Sequence, residues 1–253
     1  MIYITGDTHR EQDIYKINPD DGFERGKHLT QDDYVIICGD FGCVWDGGKG
    51  DDFWLDWLDS LPWTTCFIDG NHENFNILNQ YPVQDWHGGK IHRIRDKVIH
   101  LMRGEIFDID GMHFFTFGGA LSHDAEYRTE NVNWWKAELP VQSEIENAWQ
   151  NLQRYNNKVD VVLSHDVFEA HPYSKLFPIH LEKYGPEYVN IQSFLQEIET
   201  KVEYDYWFHG HYHKDIWFRT PSNKPCLCLF ESVIEFDSFI DNLPNIPMAQ
   251  NLE

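Results

Sequence analysis

The sequence predicts an α/β fold of two packed β-sheets with helices on both outer faces. Three observations predict it: five short apolar runs that each stop at a small polar cluster, amphipathic stretches between them, and β-rich segments in the middle and near the C-terminus. Residues 1–5 run into Gly6-Asp7-Thr8-His9, and residues 34–38 into Gly39-Asp40-Phe41-Gly42. Residues 66–68 lead to Asp69-Gly70-Asn71-His72-Glu73, 159–163 to Ser164-His165-Asp166, and 206–208 to His209-Gly210-His211-Tyr212-His213. Apolar runs bounded by such residues read as strands. Ligands bind beyond the carboxyl ends of strands in open α/β sheets, so the five clusters are predicted to meet along one edge.

Helices are predicted over 51–61, 143–155 and 187–201. In the first, Trp54, Trp57, Leu58 and Leu61 form one apolar face, and Pro62 is the stop. Residues 91–117 read as several short strands, with turns at Arg95-Asp96, Gly104 and Asp110-Gly111. Residues 216–236 read likewise, around Pro221-Ser222-Asn223. The stretch 121–142 is polar, aromatic and aperiodic, the mark of a long functional loop or cap. Residues 237–253 have little periodicity, and their end is expected to fray. With no internal repeat or linker, the predicted organisation is one domain over 1–240, a loop or cap insertion at about 118–142, and a tail at 241–253.

Composition narrows the function classes. A hydrophobic fraction of 42% and an aromatic fraction of 15% supply an ordinary globular core. The formal net charge of -22 repels phosphate backbones and anionic membranes, which counts against a nucleic-acid or membrane partner. A phosphate-handling pocket remains compatible with that charge, because a bound divalent cation reverses the local electrostatics. Cys38, Cys43, Cys66, Cys226 and Cys228 are odd in number and fit neither a zinc knuckle nor a disulfide framework. Cys226 and Cys228 fall on one face of a predicted strand and read as buried, inert thiols. No leader-like h-region or run of 18 apolar residues occurs, and a candidate ligand stands at position 7, so a cytoplasmic location is expected.

Taken singly, each polar cluster has a bland reading. A D-x-H triplet is common, Asp40 suits a turn, Asn is an uncommon metal ligand, and His165 suits a satisfied core histidine. Packing does not account for the ordered set D-x-H, G-D, G-N-H-E, H and G-H-x-H at five strand ends. Gly210-His211-Tyr212-His213 is its sharpest part: two imidazoles one residue apart, after a glycine that relaxes the backbone, can serve neighbouring metals from one turn. Mixed nitrogen and oxygen donors suit Mn, Fe, Zn, Co or Ni better than Mg or Ca. Of the 14 histidines the scheme uses five; His209 keeps an indirect supporting role open.

This order of motifs, spanning residues 7–213, resembles the calcineurin-like metallophosphoesterase superfamily. The resemblance implies a four-layer α-β-β-α sandwich with two mixed central sheets. It also implies two divalent transition metal ions, manganese first among them. Asp7, His9 and His213 would bind one metal, Asn71, His165 and His211 the other, and Asp40 both. A hydroxide bridging the metals would attack phosphorus in line. His72 would stand beside the substrate phosphate with Glu73 as its orienting partner, and Asn71 would also face the substrate.

The pattern departs from that of the Ser/Thr protein phosphatases, which carry arginines after G-D and before G-N-H-E. Here Phe41-Gly42-Cys43-Val44 follows Asp40, and Asp69 precedes Gly70. The loop from Gly118 to Arg128, with Trp134-Trp135-Lys136-Ala137-Glu138 after it, is similar to one in small phage and bacterial phosphoesterases. Arg128 is the candidate phosphate-binding residue there, with Trp134 or Trp135 as pocket walls. The bland alternative pairs Arg128 with Glu126 or Glu138 and leaves the tryptophans to packing. Arg10 is a weaker candidate for the same task. The leading expectation is a hydrolase of small-molecule or peptide phosphate esters, mono- or diester. Its alternatives are a protein phosphatase, a nuclease, disfavoured by the charge, and a non-catalytic metal-binding scaffold, which would be expected to have lost ligands.

Overall fold

A computed structural model describes residues 1–177 and 181–242. Among the described residues, thirteen strands form two sheets. The first takes β1 (Ile2–Thr5), β2 (Tyr34–Cys38), β3 (Thr64–Ile68), β4 (Val83–Trp86), β5 (Gly89–Arg93) and β6 (Val98–Leu101). The second takes β7 (Glu105–Ile109), β8 (Met112–Phe117), β9 (Val161–Ser164), β10 (Tyr206–His209), β11 (Ile216–Arg219) and β12 (Pro225–Cys228), and β13 (Ile234–Glu235) returns to the first. The strand orders are β13-β1-β2-β3-β6-β5-β4 and β11-β12-β10-β9-β8-β7. In each sheet four central strands run parallel and antiparallel strands close the edges, so both sheets are mixed.

The central strands are continuous apolar runs because both of their faces are covered. Alternate residues point inward: Ile2, Ile4 and Ile36 of the first sheet meet Phe114, Val161 and Phe208 of the second in the inter-sheet core. Their neighbours point outward. Tyr3, Val35 and Ile37 pack under α1 (Lys49–Ser60) and α2 (Phe75–Leu78). Phe115, Val162 and Trp207 pack under α3 (Gln142–Arg154) and α4 (Ile191–Lys201). The result is the expected α-β-β-α layering. Among the described residues, no helix is long and apolar enough to cross a membrane.

Three details differ from the sequence reading. Helix α1 turns Asp51, Leu55 and Leu58 inward and leaves Trp54 and Trp57 half-buried, because the Asp51 carboxylate accepts from the amides of Trp45, Asp46 and Gly47 at 2.8–2.9 Å. Helix α4 begins four residues later than expected, where the Asn190 side chain accepts from the amides of Gln192 and Ser193. Residues 237–242, read as aperiodic, form α5 (Phe236–Asn242) together with Phe236, and Phe236 and Phe239 seal the inter-sheet core. The remainder of the expected tail, 243–253, lies outside the described residues.

A buried ion pair ties the site-bearing loops to this frame. Arg103, just past β6, donates to Asp69 Oδ2 through Nε (2.8 Å) and Nη2 (2.5 Å), and to the carbonyls of Ala137 (3.0 Å) and Glu138 (3.1 Å). It thereby joins the end of β3 to the loop after β8. Replacing Arg103 by Met strands a buried carboxylate, and such a loss costs about 3–5 kcal/mol. A melting temperature lower by roughly 10 °C is therefore expected; an unchanged melt would show that the pair contributes nothing net.

Candidate metal centre

The carboxyl ends of β1, β2, β3, β9 and β10 deliver the five polar clusters to one place. Asp7, His9, Asp40 and His213 present donor atoms within 4.8 Å of one another, and Asp40, His165 and His211 form a second such group. Asp40 belongs to both. Its Oδ2 lies 3.3 Å from His9 Nε2, and its Oδ1 lies 3.2 Å from His165 Nε2. Asn71 joins the second group with its Oδ1 3.3 Å from His165 Nε2. Opposite His9, the Asp7 carboxylate receives His213 Nε2 at 3.1 Å and the His211 amide at 3.0 and 3.1 Å.

The backbone is strained where these side chains converge. His9, Asp40, His211 and His213 have φ of 39°, 47°, 69° and 49°, left-handed values that non-glycine residues seldom adopt. Two glycines are required by space. A Cβ on Gly70 would lie 2.1 Å from Asp40 Oδ1, and one on Gly210 would lie 2.0 Å from Asp7 Oδ1. Gly210 thus admits a carboxylate, a different task from the backbone freedom expected of it.

The electrostatics are those of buried anions matched to imidazoles. Burial pushes Asp40 up, but the charges of His165 and His72 and hydrogen bonds from His165 and His9 hold it well below the carboxylate range. Burial likewise raises Asp7, and the hydrogen bond with His213 and the charge of His165 bring it down. Burial pulls His9 and His165 down, yet Asp40 lifts them to about 9 and about 10. His211 is brought down to about 3 by burial and by His165. Its Nε2 is buried without a hydrogen-bond partner, as a nitrogen meant for a cation would be. His165 Nδ1 donates to the Cys38 carbonyl (2.8 Å), and His9 Nδ1 meets Asp13 Oδ2 (2.7 Å), so each ring directs Nε2 at Asp40. Such outer partners fix the orientation of metal-binding imidazoles. The residues therefore fit two cations sharing one carboxylate.

The structure brings all seven candidate ligands together. His72 lies beside them, its amide donating to Asp40 Oδ1 at 2.8 Å and its ring 5.4 Å from that of His9. Glu73 requires correction. Its oxygens accept from the amides of Phe41 (2.7 Å) and Gly42 (3.3 Å), so it braces the Asp40 loop and does not orient His72. Arg128 pairs with Asp124 (2.7 Å), in place of the expected Glu126 or Glu138, and brings Nη2 to 3.5 Å from His72 Nε2. Arg10 is paired with Glu11 and with Asp51 (2.9 Å). Trp134 and Trp135 are buried packing residues.

Several residues escaped the sequence reading. Trp45 stacks beside His72, ring centroids 6.4 Å apart, and with His9 and Gly42 lines a groove of about 240 Å³. Lys16 lies under β1, donating to the carbonyls of Asp7 (2.5 Å) and Phe230. Asp13 had a faint signal, four residues after His9; Trp45 and Lys16 had none. A separate groove of about 930 Å³ between Tyr3, Arg25 and Glu235 holds none of the donors.

Another cluster resembles a metal site by distance alone: His171, His209 and Cys226, all buried. Its protons argue otherwise. The Tyr173 amide donates to His171 Nδ1 (3.1 Å), which leaves the proton of a neutral ring on Nε2. His209 Nδ1 lies 3.0 Å from the Gly210 carbonyl and must donate, which leaves its Nε2 a bare acceptor. Both Nε2 atoms are buried without a hydrogen-bond partner, but with its proton on Nε2 and its Nδ1 taken by the Tyr173 amide, His171 has no lone pair to give a cation. His209 thus holds the Gly210 carbonyl at the start of the 210–213 turn.

No curated protein matches the chain in sequence. The family profile described as calcineurin-like phosphoesterase matches residues 1–215, from β1 past His213. Seven converging donors, a shared carboxylate and a match over most of the chain agree: the chain belongs to the calcineurin-like phosphoesterase family, whose chemistry is metal-dependent hydrolysis of phosphate esters.

Proposed function

We propose that the chain is a dinuclear-metal hydrolase of small phosphate esters. Asp7, His9 and His213 hold one cation, Asn71, His165 and His211 the other, and Asp40 lies between them. One observation carries this reading: the two oxygens of Asp40 face two different imidazoles, each within its own donor group. Four imidazoles among seven ligands support Mn, Fe, Zn, Co or Ni over Mg or Ca. Bound there, such cations polarise a phosphoryl group and activate water at neutral pH.

The chain supplies the rest. Arg128 carries donors alone, and its Nη2 is aimed at His72 Nε2 across 3.5 Å. A phosphoryl oxygen entering that gap takes a charge-assisted hydrogen bond from the guanidinium. Burial, partly offset by Asp40 and reinforced by Arg128, lowers His72, so the ring is neutral before a substrate enters. Once Arg128 turns to phosphate, the negative charge of the ester favours uptake of a proton by His72, and the imidazolium steadies the phosphoryl oxygens or passes that proton to the departing alkoxide. The groove beside Trp45 seats a small ester substituent and supports a small-molecule substrate over a folded protein. Asp69, held by Arg103, stands where protein phosphatases have a phosphate-clamping arginine. The five free, buried cysteines support a cytoplasmic setting.

Replacing Asp40 by Asn is expected to abolish turnover of aryl phosphate mono- and diesters and to lower metal content by elemental analysis. Retained metal and turnover would refute the bridging assignment. Replacing His72 by Asn is expected to lower kcat by roughly 10²–10⁴-fold at unchanged metal content; loss of metal instead would make His72 a ligand. Because His9 and His165 keep protons up to about pH 9 and 10 and must be neutral to ligate, loading metal at pH 7 should release protons. Apparent affinity should then rise with pH towards those values, and a pH-stat trace showing no acid release during manganese addition would contradict the ligand set.

A further inference from the structure

We infer that Glu138 and Ser122 are positioning residues that set which end of the Asn71 amide faces the second cation. The inference rests on the two-cation reading above.

Asn71 differs from the other candidate ligands in having two ends. Its oxygen can bind a cation and its NH₂ group repels one, and either end fits the same space. Something must choose between them. Asn71 Nδ2 lies 3.2 Å from Ser122 Oγ, in the loop after β8. A serine hydroxyl both donates and accepts, so Ser122 alone leaves the choice open.

Glu138 removes the ambiguity. Ser122 Oγ donates its single proton to Glu138 Oε2 at 2.6 Å. Glu138 Oε1 is taken by two other donors, the Ser122 amide at 2.8 Å and the Tyr184 hydroxyl at 2.6 Å. With its proton committed, Ser122 Oγ can only accept, so Asn71 must offer it the NH₂ end. Oδ1 is then directed towards His165 Nε2 and the second cation position. Glu138 is fully buried and Ser122 and Asn71 nearly so, which leaves water little access to compete.

The direction of each hydrogen bond makes Gln at 138 informative. Two donors hold Oε1, so the new NH₂ group must occupy the Oε2 position and donate to Ser122 Oγ. The serine proton is then free to point at Asn71, and the preference inverts. Outer partners of metal ligands of this kind are worth on the order of 10–100-fold in metal affinity.

The test measures manganese stoichiometry and both dissociation constants by calorimetry on the full chain, in mildly alkaline buffer where Glu138 is ionised. Metal-free melting and near-ultraviolet circular dichroism check the fold. Wild type should bind two equivalents, and E138Q should bind the second at least about tenfold more weakly with the first little changed. N71D provides the decisive comparison, because an aspartate has two equivalent oxygens and no end to choose. Its effect on the second affinity should be more favourable, by about tenfold, in the E138Q and S122A backgrounds than in wild type. S122A changes no charge and keeps the proposal testable if E138Q does not fold. Coupling of N71D with E138Q but not with S122A would reduce Glu138 to a through-space charge and overturn the relay. Additive effects in both, or E138Q binding its second ion as tightly as wild type, would overturn it too. A wild type that binds a single equivalent would overturn the dinuclear reading itself.

Discussion

Asp40 is the constraint around which the rest is arranged. A carboxylate this deeply buried is costly unless positive or polar groups surround it. The structure meets that requirement from all sides. His9 and His165 approach its two oxygens, the His72 amide donates to Oδ1, and Gly70 omits a Cβ that would collide with it. Its own backbone is held in a left-handed conformation while Glu73 grips the amides of the next two residues. The strain at His9, His211 and His213 belongs to the same arrangement, since those turns aim imidazoles and amides at the two buried acids. The inter-sheet core gives this loop assembly a rigid floor, with parallel strands ending in register beneath it.

Much of this was legible because strand ends punctuate the sequence. A run such as Tyr-Val-Ile-Ile-Cys must be covered on both faces, and a Gly-Asp after it marks where cover ends. The candidate ligands and their order were therefore visible without coordinates. The partners of the ligands were not. Asp13 bonds four residues back to His9, whereas Ser122 and Glu138 bond to partners 51 and 16 positions away, and nothing in an isolated Ser or Glu announces its partner. Glu73 shows the converse error: adjacency to His72 suggested a pair, but a backbone turn sent the carboxylate to the Asp40 loop. The expected face of helix α1 does pack on the core, but Asp51 and Leu55 are buried more deeply than Trp54 and Trp57, because Asp51 is needed inside to bind three amides.

The formal charge of -22 and a phosphate-handling role are reconciled by location. The acidic residues at the centre sit among imidazoles and buried amides, and Arg128 stands at the rim with His72. Cations bound there would add positive charge at one point of a molecule whose net charge is negative. A small, doubly charged ester can be drawn there, whereas a long polyanion would meet repulsion along its length.

The Asp69–Arg103 pair bears on how such a site can diversify. An arginine at the position of Asp69 would find Arg103 already in place, two guanidiniums enclosed where water cannot separate them. The reverse change, made first at 103, would leave an acid without its counterpart. Either step alone passes through a chain with an unmatched charge in its interior, so the two positions are expected to move together or not at all. A phosphate-gripping arginine next to Gly70 is in this sense closed to the protein by the contact of Asp69 with Arg103.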